Sequence, residues 1–277
     1  MAAAVAAELA GAPLCGNGAI DPEEQCDGAN LNGQTCVTLG YERGALSCSA
    51  ACAFNTSGCQ IDHRPATGQT TSYTAGDDGS VQAGHALSYV DNGDGTITDL
   101  NTHLMWEKKV ALDSAGNVAN LHDADNCYPW RGSCHTGGAA CSVDADCGAN
   151  GPCDVGDCQT ASPNGLTIFK WVAQLNTANF AGHNDWRIPN KKELEGILDE
   201  GTLSPAVAPA FQGASCAAAC TDMTSPACSC TVSGFYWSST TFATGPYYAW
   251  VVDFYNGVVL YDGETVNYYV RAVRGGL

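Results

Sequence analysis

Tyrosine side chains are concentrated near the C-terminus, where seven of the chain's eleven fall within residues 235–277. Tyrosine presents a large, stiff, amphipathic ring at little cost in side-chain entropy, and here it is accompanied by Asn, Ser, Thr and Gly. This composition is typical of a recognition surface, although each ring could instead serve only as a strand former. For the group as a whole we favour recognition. Its members are Tyr236, Tyr247, Tyr248, Tyr255, Tyr261, Tyr268 and Tyr269.

Sixteen cysteines are the second set of reactive side chains. This even and very high number is typical of secreted, disulfide-held proteins and far from what a reducing cytosol permits, so we expect an extracellular or cell-surface protein. Zinc binding is the competing role for clustered cysteines. Residues 15–59, which contain the first six cysteines, have no paired C-x₂-C knuckles and no histidine, and this favours disulfides. Within a six-cysteine group the sequence does not choose among fifteen pairings. The three groups are Cys15, Cys26, Cys36, Cys48, Cys52 and Cys59; Cys127, Cys134, Cys141, Cys147, Cys153 and Cys158; and Cys216, Cys220, Cys228 and Cys230.

Clustered carboxylates raise the question of calcium. Asp91, Asp94 and Asp99 do not follow the spacing of a helix-loop-helix calcium loop, and a hairpin turn explains them better. Asp144 and Asp146, in a cysteine-rich loop, remain candidates for calcium. The chain has no HExxH, GxSxG or P-loop motif. We therefore expect no enzyme activity and no cofactor other than calcium.

The charge balance restricts the partners. Eleven basic and 29 acidic residues give a formal net charge of −18, spread over the chain. Nucleic acid, sulfated glycans and anionic lipid surfaces are poor partners for such a surface. No apolar run approaches the length needed to cross a membrane, so direct membrane insertion is not expected. Residues 1–14 are Ala-rich but lack a basic region, and we interpret them as the remnant of a leader.

Composition divides the chain into domains. A cysteine-rich module covers residues 15–59, and a stretch rich in Gly, Ser and Thr predicts a linker over residues 60–85. A second domain is expected over residues 86–277. It is interrupted by cysteine-rich insertions at residues 112–161 and 213–231.

The second domain is predicted to combine antiparallel strands with two helices. Strands are expected in residues 86–109, around a Gly-rich turn at residues 92–95. Asn190 and Glu193 form a capping box that opens a helix to about Asp199. The other helix is predicted over residues 166–175, where apolar side chains recur at three- and four-residue steps: Leu166, Phe169, Val172 and Leu175.

The terminal segment is predicted to contain a hairpin. Asn256-Gly257 is a strong signal for a type I′ turn, which needs positive φ at both central residues, and strands are expected at residues 247–254 and 258–261. A last strand is expected at residues 268–273. Alternation assigns Trp250, Val252 and Phe254 to the core, with Tyr247, Val251, Asp253 and Tyr255 facing outward.

Six stretches stand in an order that resembles a known family: DNGDGTITDLNTHLMWEK, a helix, DWRIPNKKEL, FYWSS, AWVVDF and YYVRAVRGG. Together they resemble the C-terminal domain of the collagen-like adhesin of legionellae, over roughly residues 86–277 apart from the cysteine-rich insertions. The first cysteine group separately resembles a cysteine-rich repeat common in surface proteins of myxobacteria. That second resemblance implies a small disulfide-held spacer or adhesion module.

The adhesin resemblance implies an α+β, C-type lectin-like fold related to the formylglycine-generating enzyme. The same fold carries the variable proteins of diversity-generating retroelements, in which the segment between a YWSS-like and a VRAVRGG-like motif is rewritten and lines a ligand-binding face. Both motifs end this chain. The positions that the resemblance implies for ligand binding are Tyr247, Tyr248, Val251, Asp253, Tyr255, Asn256, Val258, Leu260, Tyr261, Asp262, Glu264 and Asn267.

Three classes of function follow. We favour a surface-displayed binding protein whose final strands recognise a protein or glycan on another cell or phage surface. A sulfated ligand is not expected, because residues 166–277 carry six basic and nine acidic side chains. The alternative is a structural subunit of a surface fibre or oligomeric adhesin, in which the Tyr-rich face packs on a neighbouring copy. An oxidase related to the formylglycine-generating enzyme is the third class, and it is disfavoured because no Cys follows Cys230. Family-motif residues Arg187, Arg271 and Arg274 are expected to serve structural ion pairs or backbone hydrogen bonds.

Overall fold

A computed structural model describes residues 15–22, 24–41, 43–60, 65–141, 144–151, 153–155, 166–216 and 220–275. The chain divides into two compact units, Met1–His63 and Arg64–Leu277. The regular secondary structure of the described part is mostly strands, with few helices and many disulfides, which is compatible with an α+β disulfide-rich fold. The predicted leader remnant and Cys158 lie outside the described residues.

Disulfides hold the first unit together. Strands β1 (Arg43–Gly44) and β4 (Cys59–Gln60) form one antiparallel pair, and β2 (Ser47–Cys48) and β3 (Phe54–Asn55) form another. Two-residue strands bury too little apolar surface to be stable alone, so covalent links carry the structure. The pairing that the sequence left open is Cys15–Cys52, Cys26–Cys48 and Cys36–Cys59.

Most of the segment predicted as a linker belongs to the second unit. Helix α1 (Asp78–Val81) begins at Asp77, whose carboxylate accepts a hydrogen bond of 3.0 Å from the Ser80 amide. The Thr67 carbonyl accepts a 2.6 Å hydrogen bond from the Glu200 amide. In residues 65–85, therefore, Ser, Thr and Asp side chains form caps and turns. These residue types are as common in caps and turns as in flexible linkers, so composition alone did not distinguish the two.

Three sheets are present in the described part of the second unit. The four-stranded sheet has the order β16-β7-β6-β5, the five-stranded sheet β14-β13-β12-β15-β8, and the three-stranded sheet of the first insertion β10-β9-β11. The β12–β15 pair is parallel and the others are antiparallel. The strands are β5 (Tyr89–Asp91), β6 (Thr96–Asp99), β7 (Met105–Glu107), β8 (Cys127–Pro129), β9 (Gly132–Cys134), β10 (Ala140–Cys141), β11 (Cys153–Asp154), β12 (Phe235–Thr241), β13 (Tyr248–Asp253), β14 (Val259–Gly263), β15 (Asn267–Tyr269) and β16 (Val273–Arg274).

Both predicted helices are present. Helix α2 (Ile168–Thr177) begins after Thr167, whose hydroxyl accepts a hydrogen bond from the Lys170 amide. Its buried face differs from the prediction: Ile168 and Trp171 join Val172 and Leu175 in the core, whereas Phe169 is 41 % exposed. The spacing of the apolar residues was compatible with two overlapping helix faces, one containing Phe169 and the other Trp171, and it did not distinguish between them. Four short 3₁₀ turns complete the helical structure of the described residues, at Asp144–Asp146, Gly148–Asn150, Phe180–Gly182 and Pro209–Phe211.

The capping box that opens helix α3 (Lys191–Glu195) is confirmed. The Asn190 side chain accepts hydrogen bonds from the Lys192 and Glu193 amides, and the Glu193 carboxylate accepts one from the Asn190 amide. Reciprocal caps of this kind satisfy the free amides of the first helical turn. The helix is shorter than predicted, because Gly196 follows it.

The predicted terminal hairpin is confirmed, but its turn is not type I′. Strands β13 and β14 pair with Trp250 opposite Tyr261. Of the two turn residues, only Gly257 has positive φ (79°). The Gly257 amide donates to the Asp253 carbonyl at 2.8 Å, so the connection is a longer loop closed by one left-handed glycine.

The core lies on both faces of the five-stranded sheet. On one face Tyr236, Val252 and Phe254 pack with residues of β6, β7 and β16, and on the other Trp237 and Val251 pack against α2. The expectation that Val251 faces solvent is therefore wrong, and its exposure is 0 %. Because a central strand covered on both faces buries consecutive residues, alternation along β13 cannot separate core from surface.

Trp250 also differs from its expected place. It lies outside both core clusters and is only half-buried. Alternation of side chains along β13 places Trp250 on the same face as Val252, but two residues nearer to the start of the strand. The other motif tryptophans, Trp106, Trp186 and Trp237, are buried as expected.

Candidate ligand-binding site

The predicted binding residues fall into three groups by exposure. The side chains open to solvent are Tyr247 (68 % exposed), Tyr248, Tyr255, Asn256, Val258 and Tyr261. Those half-buried are Asp253, Leu260, Asp262 and Asn267. Val251 and Glu264, at 0 % and 2 % exposure, are buried.

Four rings form what we call the aromatic surface cluster: Phe242, Tyr248, Trp250 and Tyr261. The Phe242 and Tyr261 rings stack at 4.0 Å between centroids, and Tyr261 meets Tyr248 and Trp250 edge-on at 5.7 Å each. Phe242 meets Trp250 edge-on at 5.6 Å. Mutual ring contacts fix the rotamers, so the cluster is organised before any ligand arrives.

Helix α3 supports this cluster. The Lys191 ammonium lies 4.7 Å from the centroid of the Trp250 ring and 3.0 Å from a Glu195 carboxylate oxygen. A cation above an indole face is attracted by the ring quadrupole. The capping box therefore sets the position of Lys191, and Lys191 in turn restrains Trp250. Trp250 and Phe242 were not among the predicted binding positions, although FYWSSTTF and AWVVDF carry both in the sequence.

Several polar residues of the hairpin are occupied by internal bonds. Asp262 accepts a 2.6 Å hydrogen bond from the Tyr268 hydroxyl, and burial together with that carboxylate raises the pKa of Tyr268. Asp253 accepts from the Tyr255 amide, and the Asn256 side chain accepts from the Val258 amide. These side chains shape the hairpin, which leaves recognition to the exposed rings.

The three motif arginines have the structural roles that we expected. Arg187 makes a bidentate pair with Glu193 at 2.7 Å for both contacts, and also donates to the Gly275 carbonyl. Arg274 pairs with Asp185 at 2.7 and 3.1 Å. Arg271, 1 % exposed, donates to the carbonyls of Glu107 and Cys230, at 2.6 Å each, and to the Thr231 hydroxyl.

A buried ion network that sequence reasoning missed supports the C-terminal motif. Glu107 and Lys109, 0 % and 1 % exposed, are 3.2 Å apart, and His122 Nδ1 lies 2.8 Å from the same Glu107 oxygen. The other Glu107 oxygen accepts a hydrogen bond from the Ala272 amide. Burial alone would raise the pKa of Glu107, but Lys109, His122 and the amide together lower it. The available signal was Glu-Lys-Lys directly after the buried Met105-Trp106 strand.

The potential metal ligands have other roles in the described part of the chain. Its three clusters of candidate ligands contain cysteines that form disulfides. Asp91, Asp94 and Asp99 accept hydrogen bonds from backbone amides two residues further on, which confirms turns there. Asp144 and Asp146 lie in a short 3₁₀ turn. Calcium binding at that turn stays a prediction.

The remaining cysteine predictions agree with the structure where it describes them. The pairs are Cys134–Cys147, Cys141–Cys153, Cys216–Cys230 and Cys220–Cys228. Cys127 is also disulfide-bonded. Such a framework fits an oxidising, extracellular compartment. No helix that the structure describes has both the length and the apolar character to span a bilayer.

Comparison with known proteins identifies the second unit. No curated protein and no solved structure matches the chain. The family model of the Lcl C-terminal domain matches residues 95–274, more than half of the chain. The match runs from the β5–β6 turn to Arg274 and so includes the aromatic surface cluster and the buried ion network. On this evidence the chain belongs to the Lcl C-terminal domain family.

Proposed function

We propose that this protein is an adhesin-like surface protein that binds a protein or glycan ligand through the aromatic surface cluster and the exposed tyrosines beside it. Membership of the Lcl C-terminal domain family suggests an adhesin-like or surface function. The observation that carries the proposal is the aromatic surface cluster, in which the exposed rings of Tyr248 and Tyr261 contact the half-buried rings of Phe242 and Trp250. Aromatic rings fixed by their neighbours are typical hot spots, because they bury large areas at little entropic cost.

The function is proposed to be binding and not catalysis. No cysteine in the described ranges is free, so none of them offers a thiol for the oxidase alternative. Arg187, Arg271 and Arg274 are also occupied by internal bonds. The proposed fold is C-type lectin-like, with the terminal hairpin presented on a scaffold of two helices and two larger sheets.

Replacing Tyr261 by Ala is expected to weaken ligand binding about 30-fold, since a central aromatic contact contributes about 2 kcal/mol. Binding of the labelled chain to a glycan array and to intact bacterial and phage particles would measure this. Tyr73→Ala is the matched control, because Tyr73 is 81 % exposed and lies outside the terminal segment. Equal loss in both variants, or none in Tyr261→Ala, would exclude the cluster as the binding face. Ring-dependent self-association of the wild type would favour the fibre-subunit alternative.

The finer part of the proposal is that the terminal segment is diversified by a retroelement. Deep sequencing of the gene's 3′ end in a natural population is expected to reveal adenine-directed substitutions at the exposed positions, such as Tyr247, Tyr255 and Tyr261. Val251 and Glu264 are expected to be constant, because both are buried. A uniform 3′ end without a nearby template copy would reject diversification and leave an adhesin of fixed specificity.

A further inference from the structure

A cavity of ≈ 340 Å³ adjoins the start of β13, and two distant parts of the sequence line it. The terminal hairpin contributes Tyr247, Tyr248 and residues 263–265, and the first cysteine-rich insertion contributes Arg131 and residues 138–140. The volume lies at the lower end of the range for small-molecule sites, about 300–1,000 Å³. The first cysteine-rich insertion therefore forms one wall of this cavity.

The polar part of the cavity is fixed by internal bonds. The Arg131 amide donates to the Glu264 carbonyl at 2.9 Å, and its guanidinium pairs with the Glu264 carboxylate and donates to the Pro246 carbonyl. The Glu264 amide donates to the Tyr247 carbonyl at 3.0 Å. These bonds place the lining groups without help from a ligand, which lowers the entropic cost of binding.

The Glu264 carboxylate lies beneath the surface of the cavity and holds Arg131 in place. Its side chain is buried, Arg131 forms an ion pair with Oε2, and both carboxylate oxygens are closed to a molecule of the size of water. Burial raises the pKa of Glu264, and the neighbouring Arg131 only partly opposes this effect. The Arg131 side chain, 27 % exposed, is therefore the polar group of this pair that a ligand in the cavity can reach.

We propose that this cavity binds one neutral sugar residue of a glycan, a hexose or an N-acetylhexosamine. The inference rests on the proposed binding function and names the ligand class of the same surface. The C–H face of the sugar packs on the rings of Tyr247 and Tyr248, and its hydroxyls accept hydrogen bonds from the Arg131 guanidinium.

The charges of the site favour a neutral ligand over an ionic one. Arg131 and Glu264 neutralise each other, so the cavity holds no spare charge for an ion. An anionic sugar would also approach a chain of formal net charge −18. A cationic ligand would meet the guanidinium of Arg131 in the lining.

The test uses saturation-transfer NMR of the full chain with methyl glycosides of glucose, galactose, mannose and N-acetylglucosamine, and with glucuronate as the anionic probe. We expect transfer to at least one neutral glycoside and none to glucuronate. Ala139→Trp fills the cavity from the insertion side and should reduce the signal at least tenfold. Ala75→Trp is the matched control, since Ala75 is exposed and outside the lining, and it should leave the signal unchanged.

A second variant keeps the test decisive if Ala139→Trp does not fold. Tyr247→Ala removes an exposed ring from the lining and should also reduce transfer at least tenfold. Absence of transfer to every neutral glycoside, transfer to glucuronate alone, or an undiminished signal in both lining variants would overturn the inference. A failure of the proposed function can be distinguished from a failure of this inference. If the proposed function were wrong, Tyr261→Ala, which lies outside the cavity lining, would leave binding of the array or cell ligand unchanged.

Discussion

Replacing Glu107 by Ala is expected to lower the free energy of unfolding by about 3–5 kcal/mol. The substitution leaves Lys109, 1 % exposed, as a buried cation without its carboxylate. Lys109 then keeps the Leu121 carbonyl at 3.1 Å, the Trp171 ring at 4.4 Å and the weaker attraction of Asp123. The Ala272 amide loses its acceptor in the same step. Urea unfolding followed by tryptophan fluorescence measures the change.

Two further variants separate charge from shape in this network. Glu107→Gln keeps an oxygen for the Ala272 amide but not the charge, so its loss should be smaller than that of Glu107→Ala. Glu195→Gln, which breaks the half-exposed Lys191 pair, is the surface control and should cost at most about 0.5 kcal/mol. Equal stability of all three variants would show that the buried pair contributes nothing measurable.

The contribution of Glu107 to the free energy of unfolding is expected to decrease at low pH. Because the pKa of Glu107 is lowered in the folded state, its contribution is present above the ordinary carboxyl value of 4.5 and is lost as the pH falls through the lowered value. The stability difference between the wild type and Glu107→Gln should therefore be present at pH values above 4.5. It should shrink at lower pH.

Removing the Cys216–Cys230 disulfide by a double Ser substitution is expected to cost about 3 kcal/mol. The sequence separation of 14 residues sets the loop entropy that the reduced, unfolded chain regains. This disulfide is buried, and the Cys230 carbonyl accepts a hydrogen bond from Arg271. For the second unit we expect the melting temperature to fall by roughly 6–12 °C, measured by calorimetry.

The Cys134–Cys147 disulfide provides the matched control. Its separation of 13 residues gives nearly the same loop entropy, but it lies in the three-stranded insertion sheet, in a separate cluster of buried cysteines. Its removal should open the insertion locally and shift the main transition by less than half as much. An equal shift for both pairs would show that the insertion unfolds together with the core.

Local signals in the sequence predicted much of the fold. The Asn190–Glu193 capping box, the turns after Asp91 and Asp94, and the terminal hairpin each depend on a few neighbouring residues, and each is present. The turn at Asn256 differed because strand register and the Asp253–Gly257 hydrogen bond required a longer loop. The face of α2 differed because only tertiary packing decides between Phe169 and Trp171.

The candidate site was predictable in part. Composition and family motifs indicated the exposed tyrosines, but they could not reveal that both faces of β13 are covered and that Val251 is buried. Trp250 was expected in the core because alternation assigns it to the same face as Val252 and Phe254, whereas it is half-buried and contacts Phe242 and Tyr261. The cavity depends on Arg131 approaching Glu264 across 133 positions of sequence, which no local pattern records.

The pairing of β7 with β16 has a consequence for how the protein is made. Trp106 pairs with Val273, so the four-stranded sheet cannot close until residues 273 and 274 have been synthesised. Such contacts between distant parts of the chain slow folding, since a long loop must be ordered before the pairing stabilises it. A frameshift or stop codon anywhere in the hairpin also removes Arg271 and the closing strand. Only chains translated in frame through the whole terminal hairpin can therefore complete the core.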